Sequence, residues 1–337
     1  MGTPKDFFGG GKMENRQKNR QIYISLARVL CAFAVVTIHA NDCFKEFNIE
    51  GCWGIANAIE TGLFFAVPVF MMITGATLMD YSERYSTKEY FIKRIQKTVI
   101  PYFVWCAISV ILNVNTFLVY YFFINLFGVY LCIPLFSFIR AEYKEKVINY
   151  VVIISAIFNY FIPFIYEITK NPSGLTIPFD IANGYLIYAL IGYLISKRDI
   201  SLPIRLISYV ISIVGFILSI TGTYYGAIQA GELIETFRKY TNLPCLMASV
   251  GVFILIKEIG NKINNEKAIH LIEWLSGYTF PIYLIHFFII ELFMEEAFGE
   301  YVHLLTYKLT TPFFTIMISI GIAWVIRKIP VIRRILP

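Results

Sequence analysis

The chain alternates long apolar runs with short clusters of charge. Runs at 22–41, 54–79, 95–113, 117–139, 147–166, 181–196, 204–224, 243–256, 272–292 and 302–326 are each long enough, or nearly so, to cross a hydrocarbon core that takes about 20 helical residues. They predict an all-α polytopic membrane protein of about ten transmembrane helices. The sixth and eighth runs are short, and would sit with little tilt or lean on snorkelling flanks. Two ionisable side chains, Arg28 and His39, interrupt the first run. An eleven-residue step turns an α-helix three times plus roughly 20°, so both lie on one face about 16 Å apart. A charge inside a membrane helix costs several kcal/mol unless it faces protein, a cavity or a ligand, so this pair is expected to point inward.

Composition agrees with the pattern: 57% of residues are hydrophobic, 15% are charged, and the mean hydropathy is +0.64, far from a soluble globular average. The net charge of +6 does not signal nucleic acid, because the charges fall in clusters between apolar runs and form no basic face. They read instead as topology. With the N-terminus in the cytoplasm, the great majority of the 29 Lys and Arg residues fall in cytoplasmic segments, leaving Lys45, Lys170, Arg238, Lys239 and Lys308 on the opposite side. The outer connections carry Glu46, Glu50, Glu291, Glu295, Glu296 and Glu300. Both termini are therefore expected in the cytoplasm, and the first run, which carries a charge and has no small-x-small cleavage site after it, is expected to be retained. Residues 1–20 read as a basic cytoplasmic tail, partly disordered or appended, and 21–337 as one membrane domain. No repeat suggests the paired halves of a secondary transporter.

The six cysteines form no metal pattern. Cys31, Cys106, Cys132 and Cys245 fall in predicted spans, where they read as small apolar residues. Cys43 and Cys52 share the first outer loop, an oxidising location where a disulfide and two free thiols are both open readings.

The residues able to carry chemistry are sparse. His39 stands about 26 Å along the first helix and Arg28 about 9 Å, one in each half of the membrane. The ninth run holds His286 at about 21 Å from its cytoplasmic start, a depth similar to that of His39. Imidazoles in hydrocarbon require polar partners and mark functional sites by default. His270 falls in a cytoplasmic connection and His303 at an outer loop edge.

These residues carry a resemblance. Arg28 and His39 match the basic-x10-His pattern of the acyltransferase-3 family, integral membrane proteins that move acyl groups from acyl-CoA to hydroxyls of extracytoplasmic glycans. Val67, Pro68, Phe70, Thr74 and Gly75 resemble its VPxFFxxSG stretch. Lys93, Arg94 and Lys97, followed by Pro101 and Trp105, resemble its RxxR and proline entry. Gly192-Tyr193 resembles its sixth-helix GY, and Tyr283 to His286 its late YLxH. The chain departs from the family at Ser25, where an aspartate is common, at Lys97, the second arginine of RxxR, and at Val119-Tyr120-Tyr121, where many members have HLW.

The resemblance implies a membrane O-acyltransferase, with His39 as catalytic base and Arg28 as an essential basic residue. His286 and Tyr283 are auxiliary candidates. Glu60 is another, either orienting His39 or sitting at the interface. The cluster around Lys93, Arg94 and Lys97 would bind the phosphates of acyl-CoA, or serve only as a topogenic loop. No cofactor is expected to stay bound; acyl-CoA, acetyl-CoA first, is the donor substrate. The expected partners are acyl-CoA, a glycan or other hydroxyl acceptor and the lipid bilayer, with no nucleic acid; a homo-oligomer is left open. The expected location is a bacterial cytoplasmic membrane. An exporter or flippase of glycan or lipid-linked intermediates is the competing reading, and a silent membrane scaffold a third.

Overall fold

The structure, a computed structural model, describes residues 7–45, 47–49, 51–170, 181–301, 303–330 and 336. Residues 1–6 of the expected tail, Glu46, Glu50, Val302, Arg333 and Arg334 lie outside the described residues. Fifteen α-helices follow one another, with no strand among the described residues: α1 Phe7–His39, α2 Trp53–Leu63, α3 Ala66–Leu78, α4 Thr87–Arg94, α5 Ile100–Ile111, α6 Phe117–Ser137, α7 Ala141–Ser155, α8 Ile162–Thr169, α9 Leu186–Lys197, α10 Leu202–Ala230, α11 Leu243–Lys262, α12 Glu266–Ser276, α13 Thr279–Ile289, α14 Glu295–Phe298 and α15 Leu305–Arg327.

Seven helical stretches among the described residues are long and apolar enough to cross a membrane, or eight if the bent pair α12–α13 is one span. The runs predicted at 95–113 and 181–196 contain helices of 12 residues, α5 and α9. Three π-helical turns occur among the described residues, one of them at Ile290–Met294 between α13 and α14, and the other two precede prolines. Ile95–Val99 joins α4 to α5 and Ala156–Phe161 joins α7 to α8, and in each case a proline follows at the start of the next helix, Pro101 and Pro163. A widened turn accommodates a residue that lacks an N–H and crowds the preceding turn. The run at 272–292 is not continuous. It breaks after Ser276 and turns by 57°, with the Gly277 carbonyl accepting a hydrogen bond from Arg327 Nη2 at 2.8 Å.

Helix α1 is the axis of the bundle and packs against α3, α11, α12, α13 and α15. Its buried face, Ala27, Cys31, Ala34 and Val35, joins one large core with α3, α6, α9 and α13. Helices α3 and α9 cross at the shortest range their backbones allow. A Cβ on Gly75 would lie 1.7 Å from the Ala189 carbonyl oxygen, and one on Gly192 would lie 2.1 Å from that of Met72. Here the resembling SG and GY positions have a physical reason: small residues let membrane helices approach closely where lipid supplies no hydrophobic drive between them. Helix α10 uses the same device more loosely, burying Ser212, Gly215, Ser219, Thr223 and Ala227 while Ile207, Val210, Ile213 and Ile217 face outward. These outward apolar side chains suit a multi-pass membrane protein.

Two covalent or ionic ties close the ends. Cys43 and Cys52 form a disulfide, with Cα atoms 6.9 Å apart, beside Trp53, on which Phe44 and Tyr224 stack while Phe47 meets it edge-on. Of the remaining cysteines, Cys31 and Cys245 are buried and Cys106 and Cys132 half-buried. At the opposite end Asp80, just after α3, receives Lys144 at 2.9 Å and Lys197 at 2.6 Å, tying α3 to α7 and α9.

Candidate active site

Arg28 and His39 project into two different cavities along α1. The Arg28 cavity, about 370 Å³, is lined by Arg94 from the end of α4, by Thr74, Thr77, Thr98 and Tyr130, and by Ser276, Gly277, Thr279 and Tyr283 at the break between α12 and α13. Two guanidinium groups, a set of hydroxyls and the N-terminus of an eleven-residue helix therefore face one space. Such a surround favours an anionic ligand, because helix N-terminal N–H groups and guanidinium groups both stabilise negative charge. Arg94 lies beside the Tyr90 and Tyr130 rings, at 6.0 and 5.6 Å, and its Nε is buried without a hydrogen-bond partner.

The His39 cavity, about 520 Å³, is lined by Asn41, Lys45, Glu60, Phe64, Tyr121, Tyr185, Arg238, Lys239 and Tyr240. His39 is the last residue of α1 and half-buried. Glu60 is buried in α2 and bonds Arg238 Nη2 at 2.7 Å, while its second oxygen accepts from Asn41 Nδ2 at 3.4 Å. Asn41 also donates to the Ala56 carbonyl and accepts from the buried Lys308 at 3.2 Å. Arg238 in turn lies over Phe44 and Phe64, 4.6 and 4.9 Å from the ring centres. The carboxylate, 4% exposed, is thus engaged by Arg238 and Asn41 on the wall of the cavity that His39 also lines.

Between the cavities runs a row of rings. Tyr283 lines the Arg28 cavity. Its ring centre is 5.7 Å from that of His286, which is 5.2 Å from that of His39. Helix α13 is held there by α6: Tyr283 donates to the Val119 carbonyl at 2.6 Å, and Tyr120 donates to the Leu284 carbonyl at 2.8 Å. Tyr121 lines the His39 cavity. The three residues that stand in place of HLW therefore anchor the histidine helix and wall the site.

A family model described as an acyltransferase domain matches residues 21–328. The chain belongs to the acyltransferase-3 family. Neither a curated protein nor a solved structure matches it. Membership makes the protein a membrane acyltransferase, and the two cavities are where its chemistry is to be sought. Of the residues singled out in the sequence, the structure brings Arg28, Arg94 and Tyr283 to one cavity, and His39 and Glu60 to the other, with His286 beside His39. It leaves Lys97 exposed and outside the cavity wall. Lys93 pairs with Glu89 at 2.8 Å and lies over the Tyr85 ring. Sequence reasoning passed over Arg238, Asn41 and Lys308. Their signal was present: Glu60 is a lone carboxylate within an apolar run, and Arg238 one of the few cations assigned to the other side of the membrane, so each lacked a partner that the other supplies.

Proposed function

We propose that this acyltransferase-3 protein moves an acetyl or other short acyl group from cytoplasmic acyl-CoA to a hydroxyl of an extracytoplasmic glycan. In this reading the chain crosses the cytoplasmic membrane about ten times with both termini in the cytoplasm, and the Arg28 cavity is the donor side. The observation that carries it is the pair of separate cavities on α1, one ringed by Arg28, Arg94 and hydroxyls, the other by His39.

Arg28 and Arg94 would hold anionic groups of CoA, and the pantetheine arm would run along α13 so that the thioester reaches the ring row from the Arg28 side. The acceptor enters the His39 cavity, whose wall includes Tyr121, Tyr185 and Tyr240. His39 accepts the hydroxyl proton as general base, a role imidazole fills because it exchanges protons near neutral pH. The freed oxygen attacks the thioester carbonyl, the C–S bond breaks, and the CoA thiolate takes the proton back from His39. Acyl transfer is thereby completed with no net proton change on the protein.

The test is mass spectrometry of envelope glycans from cells with and without the protein, followed by thiol release from acetyl-CoA in vesicles carrying wild-type or His39→Ala protein. A glycan mass gain of one acyl group, and a loss of turnover of about 10²-fold or more in the variant, are expected. Full turnover in His39→Ala would remove the base assignment.

A further inference from the structure

His286 carries a buried polar atom for which the described residues supply no hydrogen bond. It is fully buried in α13, 0% exposed. Its Nδ1 lies 3.0 Å from the Ile282 carbonyl oxygen, one turn back. A carbonyl only accepts, so Nδ1 carries the hydrogen and Nε2 presents a lone pair. That Nε2 is buried with no hydrogen-bond partner, a condition that costs about 1–3 kcal/mol and calls for an occupant. A packing residue at this position would be better served by Phe or Leu, like its neighbours Phe287 and Leu284.

The nearest ring able to supply a donor is His39, whose centre is 5.2 Å away with the planes inclined by 42°. Two imidazoles joined by an N–H···N bond of about 3 Å have their centres about 5 Å apart. The separation is compatible with a bonded pair once a His39 nitrogen is turned toward Nε2. His39 is half-buried at the end of α1, with a cavity on one side and the Phe287 ring 5.9 Å away on another, whereas His286 is held by the Ile282 carbonyl and by the Tyr283 and His39 rings around it.

We propose that His286 is the positioning partner of His39: its Nε2 accepts the N–H of the His39 ring when that ring turns to take the acceptor's proton. The inference rests on the reading of His39 as base. One His39 nitrogen receives the hydroxyl proton while the other donates its hydrogen to His286, which orients the ring and stabilises the imidazolium. The proton taken from the acceptor returns to the leaving thiolate from the same His39 nitrogen, and His286 keeps its own hydrogen on Ile282 throughout. A neutral imidazole fixed by a backbone carbonyl thus serves as the orienting group, while Glu60 bonds Arg238 and Asn41.

The experiment compares His286→Asn and His286→Gln in vesicles where wild-type protein releases thiol from acetyl-CoA. An Asn amide reaches the Nδ1 position and bonds Ile282 but leaves nothing at Nε2; a Gln amide places its oxygen near Nε2. The expected result for Asn is a fall in kcat of about 100-fold with the KM for acetyl-CoA unchanged, and for Gln a recovery of about 10-fold over Asn. Wild-type kcat in His286→Asn would overturn the partner role, as would equal losses in both variants accompanied by a lowered melting temperature. Inactive His39→Ala with unaffected His286→Asn would sink the partnership alone, whereas full activity in His39→Ala would sink the base reading and the partnership with it.

Discussion

Replacing Gly192 by Ala adds one methyl at the crossing of α3 and α9. That methyl would stand 2.1 Å from the Met72 carbonyl oxygen and 2.4 Å from its Cα, both backbone atoms that cannot swing aside. Ordinary contact requires more than 3 Å, so the helices must separate by about 1 Å, and Gly75 on the facing helix already sits just as close to Ala189. Overpacking of a core costs about 1–3 kcal/mol, and a clash against backbone belongs at the top of that range. At about 2–4 °C per kcal/mol, the melting temperature in detergent should fall by about 6–12 °C. Because Ile73 and Thr74 on the same helix line the Arg28 cavity, the KM for acyl-CoA should rise as well. Gly321→Ala is the control. Nothing lies within 4 Å of a Cβ built there, in the interior of α15, and Ala exceeds Gly in helix propensity by about 1 kcal/mol, so that variant should be unchanged or more stable. Equal melting temperatures for Gly192→Ala and wild type would refute the close-approach argument.

Arg238→Ala leaves the buried Glu60 carboxylate without its guanidinium and should cost about 3–5 kcal/mol, read as thermal stability, while Glu60→Gln in the same background should recover part of the loss. Serine at both Cys43 and Cys52 opens a short loop and should lower stability by about 2–3 kcal/mol, an effect that a reducing agent should reproduce on the wild type alone. Arg94→Ala should raise the KM for acyl-CoA about tenfold or more, as loss of a charge-assisted contact of about 1.5–3 kcal/mol implies, whereas Lys97→Ala should leave it unchanged. A similar KM in both single variants would remove Arg94 from the proposed donor site.

The membrane character of this protein was legible in the sequence because lipid imposes one strong rule: a spanning helix needs a long apolar run. The same rule exposed Arg28, His39, His286 and Glu60, since each is costly in hydrocarbon and had to face something. Spacing then matched His39 with His286 in depth, and the rings lie 5.2 Å apart. Hydropathy could not see where a helix breaks within an apolar run, because Gly277 and the Arg327 side chain that bonds its carbonyl are fifty residues apart. Nor could it tell that Lys93, Arg94 and Lys97 part company, since their directions depend on the π-helical turn that follows Arg94.

What the sequence determined by itself, then, is that a histidine and an arginine lie on one face of the first helix inside a helical membrane protein. Only the tertiary structure decided what each meets. Arg28 shares its cavity with Arg94 and the start of α13, Glu60 is claimed by Arg238 from 178 residues away, and His286 is left with a free nitrogen beside His39. The reason is physical: burial cost is a property of one residue and its run, whereas a hydrogen-bond partner belongs to whichever distant helix the packing brings alongside.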